Sequence, residues 1–328
     1  MTASRSGVDD ESFHHVPVLL DRVVELLAAV PDGRFVDATL GGGGHAAAVL
    51  AAHPGLELLG IDRDEAALAA AAVRLAPFSD RTQLVRASAG DLLEVVGDHP
   101  PVHRSTNRKG VSAVLLDLGV SSPQLDHADR GFSYRSAGPL DMRMDRSQGF
   151  TADDVVNHYD YAALARIIRD NSDERFASRI ARAIVAARPI EDSAHLARVV
   201  RDAIPAAARR TGGHPAKRTF QAIRMEVNAE LDQLAAALDD AVALLQPGGR
   251  LAVLAYHSLE DRMVKDRFAD AASGGCECPV GLPCVCGAEP TVRLLRRGAW
   301  KASAEEVAVN RRAESVRLRA VERLGEPA

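Results

Sequence analysis

The first third of this chain alternates short apolar runs with helix-forming ones, and a fifth apolar run comes only after a long interval. RFVDATL (34–40), LELLGIDRD (56–64), QLVRAS (83–88) and SAVLLDLG (112–119) read as strands. The alanine-rich segments 46–52 and 65–75 between them read as helices. Strands separated by helices cannot pair as hairpins, so the pattern predicts a parallel sheet covered on both faces, a doubly wound α/β fold. The fifth run, RLAVLAYHS (250–258), follows Pro247-Gly248-Gly249, more than 130 residues after the fourth. Connections within such a sheet are normally short, so that interval must hold structure of its own.

The interval looks helical. Asn171 and Glu174 have capping-box spacing, and Phe176, Ile180 and Ile184 then recur every four residues. Arg175, Arg179 and Arg182 fall on another face of the same helix, and residues 195–210 read as a second amphipathic helix broken at Pro205. We therefore expect an inserted all-helical domain over 131–214, within a sheet domain formed by 1–130 and 215–328. A chain of 328 residues accommodates two domains, and 47% hydrophobic with 26% charged residues places it among globular proteins. No run approaches the roughly 20 apolar residues that span a bilayer, and the N-terminal residues lack a signal-peptide layout, so the expected location is the cytoplasm.

The first strand runs into Asp37-Ala-Thr-Leu-Gly41-Gly-Gly43-Gly44-His45. Such a turn lets a ligand approach the backbone at a helix N-terminus. Two nucleotide cofactors compete for it, and charge separates them. NAD would bring an anionic pyrophosphate to a turn that carries Asp37, whereas S-adenosylmethionine brings an ammonium and a sulfonium, which a carboxylate attracts. Asp62, 18 residues after Gly44, can accept from ribose hydroxyls in either case. The fourth strand leads into Asp117-Leu-Gly-Val-Ser121-Ser122-Pro123-Gln124-Leu-Asp126. Small residues and a proline after an acid form a narrow shelf that can hold a planar amine while Asp117 and backbone carbonyls accept its hydrogens. A shelf with no cysteine offers no thiolate for attack on a ring carbon.

The net charge of −5 argues against simple coating of nucleic acid, but two segments reverse the sign. Residues 163–224 hold 13 Arg and Lys against 6 Asp and Glu, and 292–323 hold 9 against 4. Solvated helix faces and RNA contacts both fit these surpluses. All four cysteines, Cys276, Cys278, Cys284 and Cys286, fall within eleven residues. A structural zinc, free reduced thiols and a disulfide all remain open for them.

Taken in order, several motifs resemble one known family. They are His14 with Pro17-Val-Leu-Leu, the DATLGGGGH loop, DLGVSSPQLD, Arg130-Gly-Phe-Ser133, Gly138-Pro-Leu-Asp-Met-Arg-Met-Asp145, Arg218 to Asn228, and Tyr256-His-Ser-Leu-Glu-Asp261. Together they resemble the bacterial 16S rRNA cytosine-N4 methyltransferases over nearly the whole chain.

The resemblance implies a Rossmann-like class I methyltransferase fold with a helical substrate-recognition insert. The implied reaction is methylation of the exocyclic N4 amine of a cytidine in the decoding centre of small-subunit 16S rRNA. Carried over by position, Gly43, Gly44, His45, Asp62, Asp117, Gln124 and the position of Ala89 would bind S-adenosylmethionine, joined by Asp37 and Gly41 of the same loop. An aromatic residue often stands at the position of Ala89, so an adenine-packing contact is missing there. Asp117, Ser121, Ser122 and Pro123 would carry the amine. Arg175, Arg179, Arg182, Arg209, Arg210, Lys217 and Arg218 would hold RNA, with His257 and Ser258 positioning the base or serving structure. The partner would be the small ribosomal subunit, with no membrane; a homodimer is allowed without being required. The competing readings are an NAD-dependent oxidoreductase, disfavoured by Asp37, and a non-catalytic ribosome-assembly factor, disfavoured by the intact acid, glycines and shelf.

Overall fold

The computed structural model describes residues 17–102, 110–119, 127–210, 214–279 and 285–325. A seven-stranded sheet organises the molecule: β1 (Gly33–Asp37), β2 (Leu56–Asp62), β3 (Thr82–Arg86), β4 (Val111–Asp117), β5 (Leu245–Ala255), β6 (Val292–Leu294) and β7 (Arg317–Arg323). Their order is β3-β2-β1-β4-β5-β7-β6, with β1 to β5 parallel and β7 antiparallel to both of its neighbours. This is the doubly wound α/β sheet that the alternating pattern predicts. The strand order reverses between β1 and β4, and the crevice that binds ligands in open α/β sheets lies beyond the carboxyl ends at that point.

The central strands read as unbroken apolar runs because both faces are buried, and successive residues face opposite layers. Phe35, Leu58, Ala113, Leu115, Ala252 and Leu254 pack with α1 (Leu20–Leu27) and α2 (Gly44–Ala52). The alternate residues Val36, Leu59, Val114, Leu116, Leu251 and Val253 pack with α4 (Leu92–Asp98), α9 (Glu230–Leu244) and α10 (Ser258–Ser273). Between β2 and β3 runs α3 (Glu65–Arg74), its N-terminus capped by Asp64, which accepts from the Ala66 amide at 3.1 Å.

The interval between β4 and β5 has its own buried cluster. It is built from α5 (Tyr161–Asp170), α6 (Ala177–Ala186), α7 (Ser193–Ala203) and α8 (Lys217–Val227), together with Phe132, Leu140, Met142 and Met144. Ile180 and Ile184 are fully buried, as their spacing predicts, and Phe176 packs against the cluster. The second helix begins at Ser193 with Asp192 as its cap and ends at Ala203, ahead of Pro205. Phe220, Ile223 and Val227 of α8 belong to the same cluster. The short α11 (Ala304–Val309) lies near β7 in sequence.

Two local readings are corrected. Asn171 and Glu174 do not form a capping box: Asn171 ends α5, and Glu174 Oε1 accepts from the Phe176 amide at 2.9 Å. The helix consequently starts three residues beyond Glu174, at Ala177. Pro247-Gly248-Gly249 do not precede the fifth strand but lie inside it. Leu245 pairs with Val111 and the regular register resumes at Ala113 with Arg250, so the glycines absorb a bulge.

Candidate active site

Three neighbouring strands in the sheet order, β2, β1 and β4, each end in an aspartate at the carboxyl edge: Asp62, Asp37 and Asp117. The next strand, β5, is followed at once by Tyr256. Parallel strands in register place these four side chains along one rim.

Asp37 is 1% exposed. Its Oδ1 accepts from the Thr39 amide at 3.2 Å. Burial pushes its pKa up to about 8, and the fields of Asp117 and Asp62 add to the rise. Burial also raises Asp62, against the opposing effect of two backbone amides that donate to it at 2.8 Å, Gly41 to Oδ2 and Asp64 to Oδ1. Asp62 thus pins the glycine loop to the end of β2.

The loop's glycines are required at two points. Gly43 has φ +71, and an added Cβ would press on Ala71 and Leu75 of the following helical region. At Gly44, the first residue of α2, a Cβ would fall 2.6 Å from Pro17 Cγ.

His45 is buried, with Nε2 3.0 Å from the Val18 carbonyl and Nδ1 3.5 Å from Asp117 Oδ2. Asp117 Oδ1 accepts the Tyr256 hydroxyl at 2.8 Å, while its own amide donates to Thr39 Oγ1 at 2.6 Å. Burial, then Asp117, holds the Tyr256 phenol well above its usual range, so it donates across the working pH range. The turn after β5 is fixed by buried Glu260, whose Oε2 accepts the amides of Tyr256 and His257. His257 in turn caps α10 by accepting from the Glu260 amide, and Ser258 Oγ lies 3.3 Å from Asp173 Oδ2. His257 thus caps α10 through Nδ1.

The insert reaches this rim through a second set of contacts. Arg130 donates to Asp64 Oδ2 at 3.0 Å and to the carbonyls of Arg143 and Met144. Asn228, buried, donates Nδ2 to the Met142 carbonyl and accepts the Met144 amide on Oδ1, both at 2.8 Å. Met142 sits at φ +55, a conformation bulky residues rarely adopt, and Asn228 braces it there. Arg63 links the two sides, donating to the Asn228 carbonyl at 3.1 Å and to Gln233 at 3.2 Å.

The structure thus gathers Asp37, Gly41, Gly43, Gly44, His45, Asp62 and Asp117 at one rim. Ala89 opens a short 3-10 turn after β3 and packs against the core of the α9 layer. Arg175, Arg179 and Arg182 are exposed on the insert, Lys217 and Arg218 are exposed at the start of α8, and Arg209 donates to the Ile204 carbonyl. Arg179 and Arg182 share an open groove between α6 and α7 with His195, Arg198 and Asp202. Ser121, Ser122, Pro123, Gln124, Cys284 and His14 lie outside the described residues, as does the side chain of Arg210. Sequence reasoning missed Tyr256, Arg130, Asn228 and Arg63 as site-building residues. For Tyr256 a signal existed, since it stands at the carboxyl end of a parallel strand.

The rim's charge decides which nucleotide cofactor fits. Three acidic side chains face a glycine loop, and no cation beside Asp37 among the described residues would offset a pyrophosphate. An ammonium or sulfonium would be stabilised there.

A profile of the MraW methylase family matches residues 12–324. The chain belongs to this family. The methylase is 55% identical over 325 residues to the ribosomal RNA small subunit methyltransferase H of Salinispora tropica, covering 94% of this chain and 84% of that protein. It is 50% identical to the protein of the same name from Symbiobacterium thermophilum, covering 95% of this chain and 98% of that one. The solved structure of an rRNA methylase from Streptococcus thermophilus aligns over 95% of the methylase and 99% of its own chain, at 13% identity and a TM-score of 0.42, too slight a likeness to add to the argument. No helix among the described residues is long and apolar enough to cross a membrane.

Proposed function

We propose that this methylase transfers a methyl group from S-adenosylmethionine to the exocyclic N4 amine of a cytidine in the decoding centre of 16S rRNA, acting on the small ribosomal subunit in the cytoplasm. The observation that carries this reading is the row of three aspartates, with Asp37 buried at the glycine loop. The names of the relatives support rRNA of the small subunit as substrate.

The cofactor, when bound, supplies an electrophilic methyl group. Gly41, Gly43 and Gly44 would open the backbone to it, Asp37 would give up its proton and face the cationic end as a carboxylate, and Asp62 retains lone pairs for ribose hydroxyls. The lone pair of a cytosine amine is delocalised into the ring, so the protein must localise it and orient the amine. Asp117 accepts an amine hydrogen, and Tyr256 and His45 hold its carboxylate on either side. The shelf residues Ser121, Ser122 and Pro123 would narrow the approach, and Gln124 would contact the cofactor. The helical segment 131–214, its core completed by α8, acts as the recognition domain on the sheet domain expected over 1–130 and 215–328. Its Arg175, Arg179 and Arg182, with Arg209, Arg210, Lys217, Arg218 and Ser258, hold the RNA around an unstacked base. The three described cysteines take no part in this chemistry.

The test is mass spectrometry of 16S rRNA from a strain lacking the gene, complemented by wild type or by Asp117→Ala. N4-methylcytidine should vanish, return with wild type and stay absent with the variant. An unchanged nucleoside profile in the deletion strain would reject the substrate. A parallel calorimetric titration separates the cofactors, since binding of NADH in place of S-adenosylmethionine would reject the methyl donor.

A further inference from the structure

The loop between α10 and β6 is long. Among its described residues from Gly275 to Pro290 none is buried, and Val285 is 89% exposed. It is nevertheless folded back on itself. Gly274 caps α10 at φ +65 with the backbone of Glu289 packed so closely that a Cβ would fall 2.4 Å from the Glu289 carbonyl carbon. Thr291 returns its amide to the Ala271 carbonyl at 2.9 Å. Between those ends the backbone amides of Val285 and Cys286 donate to the Cys278 sulfur, while no apolar side chain is buried among the loop's described residues.

What converges is sulfur. The Sγ atoms of Cys276, Cys278 and Cys286 all lie within 4.8 Å of one another, and those of Cys276 and Cys286 are 3.6 Å apart. That separation is far beyond the bond of about 2.05 Å in a disulfide. It is close to the edge of roughly 3.8 Å that follows from tetrahedral coordination with zinc–sulfur distances of about 2.3 Å. Small folds without a core are stapled by disulfides or metals, and thiolates select soft or borderline ions.

We propose that Cys276, Cys278 and Cys286 bind one structural zinc ion that staples this loop. Each thiol gives its proton to solvent as it coordinates, and the ion's binding free energy becomes folding free energy for the loop. The three described thiolates suffice for the proposal, with the fourth position open to another donor. The site is separate from the aspartate rim, so zinc orders the loop without entering methyl transfer.

The test uses the full chain, purified without chelator after growth with added zinc. Metal content by inductively coupled plasma mass spectrometry should be about one zinc per chain, falling at least about tenfold in the Cys276→Ser, Cys278→Ser double variant. S-adenosylmethionine affinity should be unchanged. Should the variant not fold, the wild type is titrated with a mercurial in the presence of a zinc-sensitive dye, and zinc release should track thiol modification. Wild-type protein carrying less than about a tenth of an equivalent, a variant that keeps its zinc, or a two-mass-unit deficit marking a disulfide would each overturn the proposal.

Discussion

The hydroxyl of Tyr256 donates to Oδ1 of Asp117 at 2.8 Å, joining the residue after β5 to the last residue of β4 across 139 positions of sequence. His45 flanks the other carboxylate oxygen at 3.5 Å. Under the proposed function, the acid that would meet an incoming amine is thus oriented before the substrate arrives.

Replacing Tyr256 by Phe removes only that donor. A hydrogen bond to a charged group contributes about 1.5–3 kcal/mol, so methyl transfer should slow by roughly ten- to a hundredfold. Single-turnover transfer of labelled methyl to rRNA measures this, with the melting temperature as the control. An undiminished rate would show that Asp117 does not need its partner.

Asp37 makes stability depend on pH in a definite direction. Its folded-state pKa is raised to about 8 from 3.8, so between those values the folded protein keeps a proton that the unfolded chain releases. This group's contribution therefore falls as pH rises through that window and levels off above about 8. Melting temperatures of wild type and Asp37→Asn should diverge as pH rises, with wild type increasingly the less stable. A cation bound beside Asp37 favours its ionised form, so calorimetry near neutral pH in buffers of different ionisation enthalpy should report up to about one proton released on binding S-adenosylmethionine.

Asn228→Ala should destabilise the junction between insert and sheet. It strands the Met144 amide and the Met142 carbonyl, both bound to Asn228 at 2.8 Å. Two unsatisfied buried groups at about 1–3 kcal/mol each predict a loss of about 2–6 kcal/mol, measured by denaturant unfolding. A loss below about 1 kcal/mol would mean that the loop holds Met142 by itself.

The basic face of the insert gives a salt-dependent prediction. Arg179→Glu with Arg182→Glu should weaken binding to small-subunit rRNA and reduce the salt slope by about 1–2 units, leaving S-adenosylmethionine affinity intact. Equal rRNA affinity in filter binding would place the RNA elsewhere.

Residues whose role is local were legible in the sequence. The Asp37 to His45 loop, the acid at the end of β2 and the four-residue spacing of Ile180 and Ile184 each rest on neighbours a few positions apart. Tyr256, Arg130 and Asn228 were not legible as partners because their contacts span distances that no period encodes: Arg130 meets Asp64 and Asn228 meets Met142. The capping-box reading of Asn171 and Glu174 failed because spacing cannot say which amide a carboxylate will take, and Glu174 took that of Phe176. Pro247-Gly248-Gly249 read as lying ahead of the fifth strand because the residues that break a strand are also those that form a bulge within one.

The reversed strand β7 stands between β5 and β6 in the sheet yet follows both in the chain. A ribosome making this protein must therefore finish the whole rim, from Asp37 to Tyr256, while β5 still exposes an open edge. The nascent sheet has a vacancy that only β7 can fill, and three-residue β6 has no place to dock until it does. Closure of the sheet by its last strand thus sets when in synthesis the site can become rigid.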